Sequence, residues 1–292
     1  MNLRSFARTV GGMAQAPPPL QPEFEMVQAH YDLSDEFFAL FLDPSMMYSC
    51  AKFDAPETTL AEAQRAKIDL SLGKLDLKPG QKLLDVGCGW GATALRAREK
   101  YGADVVGLTL SQNQYAHCRR LAEGKEGIEF RLEGWETFEG KVDRIVSIGA
   151  FEHFGRDKHA DFFARCRSFL PDDGWMLLHT ITLGKPSKAF SFLRFVHFMS
   201  YKIFPGGDVP PPERVFEMAR AGGFELVHLE SLRPHYARTL DCWAENLQRN
   251  HDQAVAVAGE ETFKTYMKYL TDCAKFFRSG EVNVYQYRLR VA

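Results

Sequence analysis

Three alternating glycines close an apolar run at Leu83-Leu84-Asp85-Val86-Gly87-Cys88-Gly89-Trp90-Gly91, and a helix-like segment over 92–100 follows. Glycine at a strand-to-helix turn lets backbone approach a ligand closely, and the helix behind it presents free N–H donors. A second apolar run, 104–110, lies about 20 residues downstream, the spacing of a nucleotide-type βαβ unit. The pattern is Gly-x-Gly-x-Gly. It lacks the Gly-x-Gly-x-x-Gly of dinucleotide enzymes and the Gly-Lys-Ser/Thr of a phosphate-binding loop. Asp85 at the mouth would repel a pyrophosphate and suits a ligand that carries positive charge. S-adenosylmethionine, with a sulfonium and an amino group and no phosphate, fits that requirement; a plain tight turn is the alternative.

An acid that binds ribose would ordinarily close the second run. Leu108-Thr109-Leu110-Ser111-Gln112-Asn113-Gln114 offers no carboxylate. Thr109 and Gln114 are therefore the candidates for ribose hydroxyls, and Ser111 is placed to cap the next helix. After the third run, Trp135 in Gly134-Trp135-Glu136 can pack on an adenine whose edge a neighbouring polar group reads; the alternative is a half-buried surface turn.

The elements that must position these residues alternate. Strands are expected at 82–86, 104–110, 128–132, 144–148 and 175–180, with helices near 92–100, 112–123 and 158–169 between them. This predicts an α/β fold with a mostly parallel sheet and helices on both faces. Upstream, Phe37, Phe38, Leu40 and Phe41 form the greasy face of a helix over 27–42. Thr59-Leu60-Ala61-Glu62 reads as a capping box for another helix, with Ile68, Leu72 and Leu75 behind it. A Phe-rich, basic segment over 183–204 interrupts the alternation and is expected to be an inserted helical lid, with the return punctuated up to residue 212. Two last strands, 224–229 and 282–289, flank a helical stretch over 237–277. Residues 1–23, with Gly11-Gly12 and Pro17-Pro18-Pro19, read as a flexible leader, and 24–292 as a single domain.

The chain has 292 residues, 45% of them hydrophobic and 25% charged, as in a soluble globular protein. A formal net charge of −2 argues against a nucleic-acid binder. The 23 Phe residues fill a core or line a long apolar pocket. Six cysteines occur without a Cys-x-x-Cys pair or zinc spacing, so free thiols, a cytoplasmic location and no metal are expected. No apolar run is long enough to span a membrane.

Several motifs taken together resemble the cyclopropane-fatty-acid synthase family, and most closely its mycobacterial mycolic acid methyltransferase branch. They are His30-Tyr31-Asp32-Leu33-Ser34-Asp35-Glu36-Phe37-Phe38, Tyr48-Ser49-Cys50, the glycine loop, Gly107-Leu108-Thr109-Leu110-Ser111, Ser147-Ile148-Gly149-Ala150-Phe151-Glu152-His153-Phe154-Gly155 and Pro234-His235-Tyr236-Ala237. The resemblance runs from about Phe24 to the C-terminus, and the segment after Ile181 is several residues shorter than the family pattern. It implies a Rossmann-like, seven-stranded methyltransferase that binds S-adenosylmethionine through Tyr48, Ser49, Leu83 to Gly91, Thr109 to Gln114, Trp135 with Glu136, and Ile148. It further implies a bicarbonate held by Cys50, Glu152, His179 and Tyr236. The implied substrate is a double bond in a long acyl chain, carried on phospholipid in some members and thought to ride on acyl carrier protein in the mycolic branch.

That chemistry makes sense of those residues. An alkene attacks a sulfonium methyl only when both are aligned in a dry pocket. The resulting carbocation wants aromatic faces, for which Tyr236 and the Phe residues are candidates. A small anionic base beside the new methyl would close a cyclopropane; water capture would leave a methyl-branched alcohol. Glu152 and His179 suit the holding of that anion and the tuning of its proton. His153 would point away from Glu152 if the backbone there is extended. Cys273 aligns with a cysteine long regarded as catalytic in the family, but a thiolate beside a sulfonium would itself be methylated, so a packing role is expected. A heteroatom methyltransferase of the same fold and a cofactor-binding regulator without turnover are the competing functions. The lid also has the composition of a membrane-surface helix. Basic clusters at Arg156, Lys158, Arg165 and Arg167, and at Arg194 and Lys202, are solvated faces or a docking surface for an acidic carrier.

Overall fold

The computed structural model describes residues 20–22, 34–185, 190–204 and 206–292. Most of the leader and His30 to Leu33 of the first family motif lie outside the described residues. So does the start of the helix expected over 27–42. Its described part is α1, Asp35–Ala39, capped by Ser34. The capping box at Thr59 and Glu62 is formed in both directions and opens α2, Leu60–Gly73. Strands β1 (Lys82–Val86), β2 (Asp104–Thr109), β3 (Ile128–Leu132) and β4 (Arg144–Ile148) then alternate with α3 (Ala92–Tyr101) and α4 (Gln112–Ala122). A 3-10 turn at Phe151–His153 and α5, His159–Phe169, lead into β5.

β5 runs Trp175–Leu183, three residues beyond the expected 180, because the antiparallel partner β7 (Val282–Val291) pairs with it out to Leu183. The lid segment holds α6, Phe190–Phe198, continued by a wider π turn, Met199–Ile203. A helix not anticipated from the sequence, α7, Pro212–Ala221, follows with proline in its first turn, where the missing N–H is no loss. After β6 (Phe224–Ser231), the expected single helical stretch divides into α8 (Arg233–Arg249), α9 (His251–Ala258) and α10 (Glu260–Ser279). Gly259, at φ 84° and ψ 159°, makes the second break.

The seven strands lie in the order β3-β2-β1-β4-β5-β7-β6, with β7 antiparallel to both neighbours. Strand order reverses between β1 and β4, and in open α/β sheets ligands bind at that crevice, beyond the carboxyl ends of the strands. Alternate residues of β1 enter opposite cores: Leu84 and Val86 pack with Phe162 and Phe163 of α5, and Leu83 packs with Ile68 and Leu72 of α2. A third core, above the sheet ends, gathers Phe37, Phe38 and Phe41 with Trp243, Tyr266 and Tyr269. Tyr269 of this cluster reaches the second cavity of the site described below.

Candidate active site

The glycine loop closes against the start of the segment after β4. Gly87 has φ +75°, and a Cβ built there would stand 2.3 Å from the Cβ of Ala150. No side chain fits, so the backbone itself forms the floor of the pocket. Gly91, at φ 90°, caps α3 in the left-handed region. Trp90 ties the loop to α1 through an indole N–H to Asp35 Oδ1 bond of 2.9 Å.

This crevice is lined by Tyr48, Ser49, Asp85, Val86, Gly87, Cys88, Gly89, Trp90, Thr109, Leu110, Gln114, Trp135, Glu136 and Ile148. Leu83, Leu84, Gly91, Ser111, Gln112 and Asn113, expected among the contacts, are not among its lining residues. The leucines are buried in the sheet cores, and Ser111 is spent on capping α4 through the Gln114 N–H. Thr109 donates its hydroxyl to Gln114 Oε1 at 2.8 Å. Trp135 is 2% exposed, and its indole N–H has no acceptor among the described residues. Asp85 is buried, and burial pushes its carboxyl up to about 7 against the pull of Lys67. Its Oδ2 is likewise unpartnered.

Cys50, Glu152, His179, Tyr236 and Cys273 converge on an adjoining cavity, although they come from five separate parts of the chain. Phe195, Val196, Met199 and Phe204 of the lid region, with Phe277, Val282 and Val284, complete its apolar wall. Tyr48, Ser49, Gly149 and His153 line both spaces, so the two are contiguous there. The 3-10 turn places Glu152 inward; its Oε1 accepts the Ile181 N–H at 2.5 Å and its Oε2 has no partner among the described residues. Burial raises its carboxyl to about 7.

His179 sits directly across from Gln286 in the β5–β7 ladder. Gln286 Nε2 is 3.2 Å from His179 Nδ1, while Lys74 donates to Gln286 Oε1 at 2.6 Å. The ammonium orients the amide, so its nitrogen faces the imidazole. Nδ1 then accepts and the proton sits on Nε2, which is buried and has no partner among the described residues. Burial, reinforced by the charges of Lys67 and Lys74, holds the imidazole neutral. Tyr236 stays a phenol, raised by burial, with its ring 4.6 Å from that of Phe277. Burial also keeps the thiols of Cys50 and Cys273 protonated, well above their usual range. Among the described residues no group of three His, Cys, Asp or Glu could hold a metal ion.

A family model described as mycolic acid cyclopropane synthetase matches residues 19–287. The chain belongs to the mycolic acid cyclopropane synthetase family. Cyclopropane mycolic acid synthase MmaA2 of Mycobacterium tuberculosis is 55% identical over 282 residues, 92% of this chain and 98% of its own. The solved structure of MmaA2 superposes with a TM-score of 0.91 at 54% identity, covering 92% of this chain and 99% of that one. Cyclopropane synthase CmaA1, solved with S-adenosylhomocysteine and the detergent CTAB, gives 0.90 at 53% identity, again over 92% and 99%. Coclaurine N-methyltransferase, at 22% identity, covers 91% of this chain and 81% of its own with a TM-score of 0.77, and shares the Rossmann-like methyltransferase fold.

Two expectations for this member of the mycolic acid cyclopropane synthetase family change with the structure. His153 does not point away: the 3-10 turn replaces extended backbone and sets it at the wall between the two spaces, ring to ring with Phe204 at 5.1 Å. The basic cluster near α5 is largely committed elsewhere. Arg165 donates to the Phe138 carbonyl at 2.9 Å and lies over the Phe169 ring, and Arg167 pairs with Asp172. The sequence reading missed Gln286, Lys74, Gln64, Lys67 and Ser71. Their signal was polar residues at inward positions: Gln286 two residues after buried Val284 in a strand, and three polar residues one helical face apart in α2.

Proposed function

We propose that this chain transfers a methyl group from S-adenosylmethionine to a carbon–carbon double bond of a long acyl chain, a mycolic acid precursor, and closes a cyclopropane. The observation that carries the reading is a pair of polar atoms without a partner among the described residues, Glu152 Oε2 and His179 Nε2, whose residues line one largely apolar cavity that abuts the glycine-loop pocket.

The residues fit S-adenosylmethionine. Asp85 offers a buried, unpartnered carboxylate oxygen to a cationic ligand, and Gly87 leaves the space a side chain would fill. Thr109 and Gln114, which line the pocket, would take ribose, and Trp135 would pack on adenine. When bound, the group supplies an electrophilic methyl on a sulfonium. The protein's own work is to hold the alkene against that methyl, exclude water with the lid and cap aromatics, and stabilise positive charge on the chain. Tyr236 and Phe277, which line the cavity, would supply aromatic rings for the last task, worth about 2 kcal/mol or more in a desolvated site.

Bicarbonate is part of the same reading. His179 offers an Nε2–H donor, and Glu152, with its carboxyl near 7, can donate or accept at neutral pH. Cys50 and Tyr236 border the same space. A bicarbonate held there would supply a base beside the newly transferred methyl. The finer features belong here too: an acyl chain presented on a carrier protein, a cytoplasmic location, and peripheral contact with a lipid surface through the lid, where Phe190 is 73% and Tyr201 77% exposed. No helix among the described residues is long and apolar enough to cross a membrane. CmaA1, crystallised with S-adenosylhomocysteine and CTAB, supports both the cofactor and a long aliphatic ligand.

The test is to incubate the purified full chain with methyl-labelled S-adenosylmethionine and unsaturated lipid extract. Label in acyl chains supports the function; label only in small polar products, or none, contradicts it.

A further inference from the structure

Helix α2 buries a row of polar side chains where a helix packed on a sheet ordinarily buries apolar ones. Gln64, Lys67 and Ser71 are each 0% exposed, and with Lys74 they follow one another at three- and four-residue steps along one face. At one end of the row Gln64 Nε2 donates to the Ser49 carbonyl at 2.8 Å, and Lys67 Nζ donates to Ser49 Oγ at 2.7 Å. At the other end Gln286 Nε2 donates to Ser71 Oγ at 2.9 Å, and Lys74 holds the Gln286 amide that faces His179. One rigid helix therefore grips both Ser49, which lines the cofactor pocket and the acyl cavity, and the partner of His179.

A buried ammonium costs several kcal/mol unless nearby groups compensate it. The carboxylates of Asp43 and Asp85 compensate Lys67 only in part, since burial still lowers its ammonium to about 8. A residue that merely filled this space would not require that arrangement. We propose that Lys67 is a positioning residue for methyl transfer: acting through Ser49 Oγ, it fixes the 48–50 segment relative to His179, with α2 as the spacer between methyl donor and base. The inference rests on the acyl-methyltransferase reading above. A displacement of about 1 Å between reacting groups can cost on the order of 100-fold in rate, so the effect belongs in kcat.

The test compares the full-length wild type with Lys67→Met, Ser49→Ala and the double variant, reading kcat and KM for transfer to an unsaturated acyl substrate. Each single change is expected to lower kcat by roughly 10- to 100-fold and shift either KM by less than about fivefold. The double variant is expected to fall no further than the worse single one, because both act on one contact. Losses that multiply, losses confined to KM, or a Lys67→Met kcat within about twofold of wild type would overturn the inference. If Lys67→Met does not fold, Ser49 decides: Ser49→Thr, which restores the acceptor, recovers most of the kcat lost in Ser49→Ala, and equal loss in the two overturns the inference. Failure of the functional reading shows separately, as a wild type that puts no label into acyl chains, and removes both.

Discussion

Gln286 and His179 face each other across the β5–β7 ladder, with the amide nitrogen 3.2 Å from Nδ1, and this contact sets the tautomer of the histidine. The Lys74 ammonium makes the assignment one-directional by occupying the amide oxygen. The consequence reaches the acyl cavity: Nε2 must carry a proton and can serve an anion there.

Gln286→Leu removes the device while keeping a comparable volume. The expected outcome is a roughly 10- to 100-fold loss of transfer, the usual scale for removing the group that orients a reactive histidine or ligand. Affinity for S-adenosylhomocysteine should hold, because Gln286 lies outside that pocket. Calorimetry beside a steady-state assay checks both.

Glu152 and Cys273 line one cavity but should respond differently. Glu152→Gln leaves the turn intact and removes the only carboxylate of the Glu152–His179 pair; transfer should fall by at least about 100-fold. Cys273→Ser should keep activity within about fivefold, because burial already holds the thiol protonated and unreactive. Complete inactivity of folded Cys273→Ser would contradict the packing role assigned to it.

Stability of the ligand-free protein should fall between about pH 6 and 7.5. Glu152 and Asp85 are both raised to about 7 by burial, so between their unfolded values and 7 the folded state binds more protons. Stability then falls as pH rises towards and through 7. His153, lowered to about 4, and His179, also lowered, act oppositely: the unfolded state binds more of their protons below 6.5, which offsets the carboxyls on the acid side and leaves the fall above about pH 6 as the visible feature. Thermal melts should lose roughly 2–5 °C between pH 6.5 and 7.5, and Glu152→Gln should flatten that slope. A Tm that rises over the same interval would contradict the assignment.

Gly87→Ala adds a methyl where Ala150 already stands and forces a side chain into the left-handed region. The expected result is a lower Tm and a loss of S-adenosylhomocysteine binding of tenfold or more. Ala at Gly89, where a Cβ meets nothing within 4 Å, should cost less binding, although its φ of +55° still carries strain.

Much of this architecture was legible in the chain. β1 and β4 fall at the expected positions as short, largely apolar runs ended by a turn, β3 as an alternation of Ile128, Phe130 and Leu132 with charged Glu129 and Arg131, and the Thr59–Glu62 box announced α2. The extra length of β5 was not legible, since it depends on pairing with β7 from the far end of the chain. α7 was hidden behind a proline run, which reads as a loop although proline suits a first helical turn. In the site, Asp85 was legible from the glycine-loop motif, and Glu152 only through the family resemblance. Gln286 and Lys67 did not, because nothing local distinguishes a buried amide or ammonium from a surface one until the sheet and helix that bury it are assembled. The arginines of α5 read in sequence as a solvated face or a docking charge, and the bond from Arg165 to the Phe138 carbonyl became visible only in the fold.

The most direct measurement uses S-adenosylmethionine carrying a trideuterated methyl, the full-length protein and an unsaturated long-chain acyl substrate, with the product read by mass spectrometry. The account predicts a modified acyl chain that keeps two of the three deuterons, because the base in the Glu152–His179 cavity removes one as the ring closes. An acyl product that retains all three, or a methylated polar molecule with unaltered acyl chains, would contradict it.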